Sequence, residues 1–160
     1  MQASLVLNAQ GIYQTNEDFL SQVFNDNVPK PKALWLKSDL KAKATDILGE
    51  KPPQLRVRYW RTESKSAWIL EAIGKERLIT MGFVIQDQKI TRTKVLAFRE
   101  TRGWEIKHQF FTDQFKQVSL DKSLKLSHSI DGIAGATLSV RAAKKMARLA
   151  LLFNGSLPEY

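Results

Sequence analysis

The residues best suited to chemistry lie late in the chain, in Asp131-Gly-Ile-Ala-Gly-Ala-Thr-Leu-Ser139. Two glycines and two alanines strip this stretch of bulk just before a strongly periodic helical segment, leaving Thr137 at its entrance. A helix N-terminus has unpaired backbone N–H groups and the positive end of the helix dipole. It therefore accepts an anion wherever side chains do not block the approach. Gly132, Ala134, Gly135 and Ala136 remove that block. The same residues also suit an ordinary Thr or Ser N-cap after a tight glycine turn, and local chemistry leaves both readings open.

Other chemistries have less behind them. The two histidines, His108 and His128, show no metal-ligand spacing, and there is no cysteine, so no metal centre and no thiol chemistry is expected. Neither a G-x-S-x-G elbow, a G-x-x-x-x-G-K-[ST] loop nor a G-x-G-x-x-G turn occurs, which argues against covalent hydrolysis and the standard nucleotide folds. No catalytic acid or base is assigned. Arg56-Val-Arg-Tyr-Trp-Arg61 mixes cations with aromatics, as phosphate contact and base stacking require, but strand alternation accounts for it as well. With a formal charge of +9, that segment keeps a second reading open, a binding module whose basic faces meet nucleic acid or anionic membrane.

The elements that must carry these residues follow from periodicity. Thr15 caps a short helix with Phe19, Leu20, Val23 and Phe24 on one face, which Pro29 and Pro31 end. Ser38 to Leu48 reads as a second helix stopped by Gly49. From Gln54 the period changes to two, with Leu55, Val57 and Tyr59 inward. Ser66–Ile73, Leu78–Gln86 and Ile90–Phe98 follow as strands joined through Gly74-Lys75 and Asp87-Gln88-Lys89. Between Gly103 and Asp121 strand and helix patterns compete. Leu138 to Phe153 is a helix with Val140, Ala143, Ala147, Ala150 and Leu151 inward and a basic stripe of Arg141, Lys144, Lys145 and Arg148 outward, ended by Asn154-Gly155. At 160 residues, 43% apolar and 26% charged, the chain reads as one α+β domain, an antiparallel meander with flanking helices and no internal repeat. No apolar run is long enough to span a membrane and no export signal follows Met1, while the absence of cysteine suits an oxidising compartment.

Asp131-Gly-Ile-Ala-Gly-Ala-Thr137 resembles the D-x-x-[ST]-G-A-T motif of the FMN-binding domain family, which includes the FMN subunits of the sodium-translocating NADH:quinone reductase and Rnf complexes. A second block, Ile90 to Gly103, resembles that family's strand ending in E-T-P-G, with Glu100, Thr101 and Gly103 matching. Gly82-Phe-Val-Ile85 and Phe111-Thr-Asp-Gln-Phe115 fit as well. The similarity covers about residues 67–153, and residues 1–60, a helical and extended N-terminal portion, show none. The resemblance implies FMN attached by a flavin transferase through a phosphoester to Thr137, with Asp131, Gly135, Ala136 and Ser139 around the phosphate. It further implies Glu100, Thr101 and Gly103 against the ring or ribityl chain, with Trp104 able to stack nearby. By the same resemblance the protein is an extracytoplasmic electron carrier between donor and acceptor proteins or a membrane reductase, with no nucleic acid as partner. Ala134 stands where the motif has Ser or Thr, and Arg102 where it has Pro.

Overall fold

Runs of β-branched and aromatic residues joined by short turns pair most readily with their neighbours in sequence. In the computed structural model, which describes residues 11–160, β1 (Lys32–Trp35), β2 (Arg56–Arg61), β3 (Ser66–Ile73), β4 (Leu78–Gln86) and β5 (Lys89–Phe98) form one antiparallel sheet in that order. The β4–β5 turn places Asp87 at φ 51° and Gln88 at φ 61°, as a two-residue hairpin of primed type requires. β1 has no strand pattern of its own, and the sequence reading assigns it none. It becomes the edge strand by pairing, from Lys32↔Tyr59 to Trp35↔Arg56, so residues 32–35 and 56–61 join the same sheet as the rest. Leu55, expected to point inward, precedes β2 and is exposed.

Helices cover both faces. On one lie α2 (Ser38–Leu48), ended by Gly49 at φ 81°, and the long α4 (Thr137–Gly155). Between them and the sheet Trp68 stacks on Tyr59 at 5.1 Å and meets Phe153 at 5.9 Å, among Met81, Phe83, Ile85 and Met146. On the other face α1 (Asn16–Val23), capped by the Thr15 hydroxyl accepting from Asp18 N–H at 3.1 Å, packs Phe19, Leu20 and Val23 on Ala67, Val84 and Leu96. α4 runs past its expected stop because Asn154 is held in place: its Oδ1 accepts from the Ser66 hydroxyl at 2.6 Å and its Nδ2 donates to Gln88. The five inward positions expected for α4 are all buried. Its basic stripe is partly committed, since Arg148 donates to the Leu124 carbonyl at 2.6 Å and Lys145 to the Leu48 carbonyl at 3.4 Å.

The contested segment resolves as helical. Trp104–Lys107 and Asp113–Phe115 are 3-10 turns flanking α3 (Gln109–Thr112), and Ile106, Phe111 and Phe115 enter the core while Phe110 stays outside. Burial at these four- and five-residue intervals outweighs the alternation of Trp104, Ile106, His108 and Phe110.

Gly82 on β4 lies against the Phe19 ring of α1. A β-carbon there would stand 2.6 Å from the ring of Phe19, which is fully buried. Gly82→Ala is expected to push Phe19 off the sheet and cost about 2 kcal/mol. A thermal melt should show Tm lower by about 6 °C.

Candidate functional site

The entrance to α4 is shaped by a tight turn. Ala136 N–H donates to the Ile133 carbonyl at 2.9 Å, and Gly135 sits at φ 82°, a left-handed conformation that side chains disfavour. The spaces that β-carbons would fill at Gly132 and Gly135 are open. Ala136 is the N-cap, and no side chain caps the helix. Of the two readings left open by local chemistry, the hydroxyl cap is not made. The first-turn N–H groups lack intrahelical partners, and Thr137, exposed at the first helical position, stands among them.

Two contacts fix this entrance to the preceding segment. Gly103, at φ 91°, lies so close to α4 that a β-carbon there would be 2.2 Å from Ser139 Oγ. Gln114 grips the backbone of Asp131 from both sides: its Oε1 accepts the Asp131 N–H at 2.7 Å, and its Nε2 donates to the Asp131 carbonyl at 3.3 Å. Glycine and threonine blocks 34 residues apart in sequence, at 103 and 137, thus meet in space. Gln114 escaped the sequence reading although it sits inside the Phe111–Phe115 block, because nothing local marks a glutamine as a backbone clamp.

Several of the expected site residues make contacts of their own in the fold. Ser139, expected to offer its hydroxyl to a phosphate, is 4% exposed and packs against Gly103. Asp131, which the resemblance places around the phosphate, carries an exposed carboxylate side chain. Among the described residues that carboxylate makes no hydrogen bond, and the backbone is held by Gln114 instead. Glu100 does not face the entrance of α4 with a free carboxylate. It accepts from the backbone N–H groups of Lys75, of Glu76 at 2.9 Å and of Arg77 at 3.1 Å, clamping the β3–β4 turn. Thr101 and Arg102 are exposed beside it, Ala136 is buried, and Ala134 is exposed.

The Glu100 clamp has a pH signature. Desolvation raises its pKa, but the N–H donors of Glu76, Lys75 and Arg77, with the Arg77 charge, outweigh that and hold it below the usual glutamate range. A carboxylate with a lowered folded-state pKa contributes stability that is fully present above the unfolded-state value and is lost as pH falls through the folded-state value. Glu100→Gln is therefore expected to cost about 1 kcal/mol at neutral pH, a low figure because solvent screens a surface carboxylate. In paired chemical denaturations, the gap between wild type and variant should close as pH drops below the ordinary glutamate range.

Next to Gly103 the surface is aromatic. Trp104, 43% exposed, meets His108 edge-on at 5.6 Å, and His108 stacks on Phe110, 66% exposed, at 5.9 Å. Lys107 Nζ lies 5.3 Å from the Trp104 ring. His128 sits in an exposed loop within 3.2 Å of the Ser127 hydroxyl. Among the described residues no cluster of three or more His, Cys, Asp or Glu could hold a metal ion. A concavity of about 810 Å³ lies elsewhere, over β1 to β3 beside Trp35, Arg56, Arg58 and Trp60, and no residue of 100–139 lines it. No helix among the described residues is long and apolar enough to cross a membrane.

The fold and site define an α+β domain that holds an uncapped helix entrance rich in small residues, with one exposed threonine, against a glycine-bearing loop next to an aromatic ledge. A family model described as FMN-binding domain matches residues 74–152, and this part of the chain belongs to that family. The match begins at the β3–β4 turn and takes in Glu100, Gly103, Gln114 and Thr137. No curated protein and no solved structure matches the chain. The residues present fit a phosphate-bearing flavin: the open spaces at Gly132 and Gly135 and the free first turn suit the phosphate, and the aromatic ledge suits a planar ring.

Proposed function

We propose that the protein carries FMN joined through its phosphate to the hydroxyl of Thr137 and relays electrons between protein partners outside the cytoplasm. The supporting observation is an exposed threonine that caps nothing, at a helix entrance cleared of side chains. An ester at Thr137 Oγ1 leaves the phosphate's remaining oxygens within reach of the first-turn N–H groups, where the helix dipole favours negative charge. The exposed turn also leaves room for the flavin transferase that makes the bond. Bound there, the flavin supplies the redox chemistry, and the protein's part is to hold it, orient it and present an edge to partners.

In this reading Gly103 and Gln114 are positioning residues. They hold the turn against the 103–115 segment, and Trp104 is the group nearest that segment's start with a ring free to stack. The basic surface attracts acidic electron donors and acceptors, speeding encounter in a salt-dependent way.

The test is co-expression with a flavin transferase and export from the cytoplasm. The purified protein should be yellow, fluoresce on a denaturing gel, and gain the mass of one FMN less water on the peptide containing Thr137. Colourless protein under those conditions, with salt-sensitive binding to nucleic acid, overturns the proposal in favour of a basic binding module.

A further inference from the structure

The outer edge of β5 is paired at its two ends and open between them. Tyr13 and Gln14 N–H donate to the Leu96 carbonyl, and at the other end Ile90 exchanges bonds with Gln117 and Val118. Between these seals, Thr91 to Lys94 line a cleft of about 440 Å³ whose far wall is the 107–116 segment. Its volume falls within the range of small-molecule sites, about 300–1,000 Å³.

The lining is cationic and polar. Arg92, Lys94, Lys107 and Lys116 face one carboxylate, Asp113, which Lys116 pairs at 3.3 Å. Arg92 is already held by Gln22 at 2.9 Å, and Lys107 lies 4.7 Å from the Tyr13 ring. Lys94 forms no ion pair among the described residues. Thr91 and Thr112 donate to backbone carbonyls, whereas the Thr93 hydroxyl oxygen is buried with no partner among the described residues. A buried hydroxyl without a partner costs about 1–3 kcal/mol, so its presence at a cationic cleft points to a missing acceptor.

We propose that this cleft binds a phosphate-class oxyanion, free or as the end of a small molecule, between Lys94 and Lys116 with the Thr93 hydroxyl donating to it. The site is separate from Thr137, since none of residues 131–139 lines the cleft. Burial, and then the Arg92 charge, push the Lys94 ammonium below its ordinary range, a cost that a bound anion would offset. A tetrahedral oxyanion uses donors arriving from several directions, as ammonium groups on opposite walls and a hydroxyl on one of them provide.

The experiment is a titration of the full chain, followed through backbone amide NMR signals, with inorganic phosphate, with adenosine monophosphate and with chloride at matched ionic strength. Phosphate should shift the amides of Thr91, Thr93 and Thr112 saturably where chloride does not. Lys94→Gln should weaken binding about tenfold, the loss of one charge-assisted bond. Lys116→Gln, on the opposite wall, provides a second variant with the same expectation. Equal affinity for the two phosphates assigns the cleft to the free ion, and tighter binding of the nucleotide assigns it to a phosphate ester. Shifts confined to the first turn of α4, no response beyond that to chloride, or unchanged affinity in both folded variants would overturn the proposal.

Discussion

Thr137→Val is expected to abolish flavin retention through denaturation while leaving the fold intact. Valine keeps the β-branched shape and removes only the oxygen that the ester requires. The nearest hydroxyl on the same turn, Ser139, is 4% exposed and packed against Gly103, so it cannot take over as acceptor. Stability should change by less than about 0.5 kcal/mol, because Thr137 is exposed and its hydroxyl caps nothing. Thr137→Ser restores the oxygen and is expected to restore attachment. The measurements are in-gel fluorescence and the intact mass, read beside a thermal melt. A valine variant that still carries flavin after denaturation would place the bond on another residue.

Gly103→Ala is expected to cause the largest loss of stability, about 3 kcal/mol. One part is backbone: φ of 91° is left-handed, which costs a residue with a β-carbon about 1–2 kcal/mol. The other is overpacking, at about 1–3 kcal/mol, since the new carbon would lie 2.2 Å from Ser139 Oγ and 3.1 Å from its Cβ. For a chain of this size Tm should fall by about 9 °C. Flavin attachment should fall with it, because the loop and the first turn of α4 are forced apart. Adding Ser139→Ala removes the closest clash but not the backbone strain, so the double variant should recover part of the loss and not all of it. A single variant melting within 1 °C of wild type would show that the loop and helix are not packed as described.

Elements that bury a face large enough to impose a period were legible in the chain. α1, α2, α4 and the strands from Ser66 to Phe98 appear with their boundaries close to those read from periodicity alone, since each shows its own repeat of buried positions. β1 was not, because a four-residue edge strand with exposed Trp35 buries too little to leave a pattern, and only the hydrogen bonds of β2 make it a strand. Residues 103–121 held two competing periods, and the choice fell to whichever side chains the sheet and α4 could cover, Ile106, Phe111 and Phe115. Similarly, the open turn at Asp131 to Thr137 was visible as a loss of bulk, whereas the grip of Gln114 on Asp131 was not.

What the amino-acid sequence determined by itself was the inventory: a threonine at a helix entrance, small residues before it, and an upstream block ending in Gly103. These follow from local rules, in which glycine permits a left-handed turn and a helix start leaves its N–H groups free. Tertiary structure decided which of them face outward and which face one another. Glu100 turned away to clamp the β3–β4 turn, Ser139 closed against Gly103, and Thr137 was left exposed on an uncapped turn. The reason is physical: a side chain's availability depends on which neighbour fills the space beside it, and for these residues the neighbours arrive from 23 to 36 positions away in the chain.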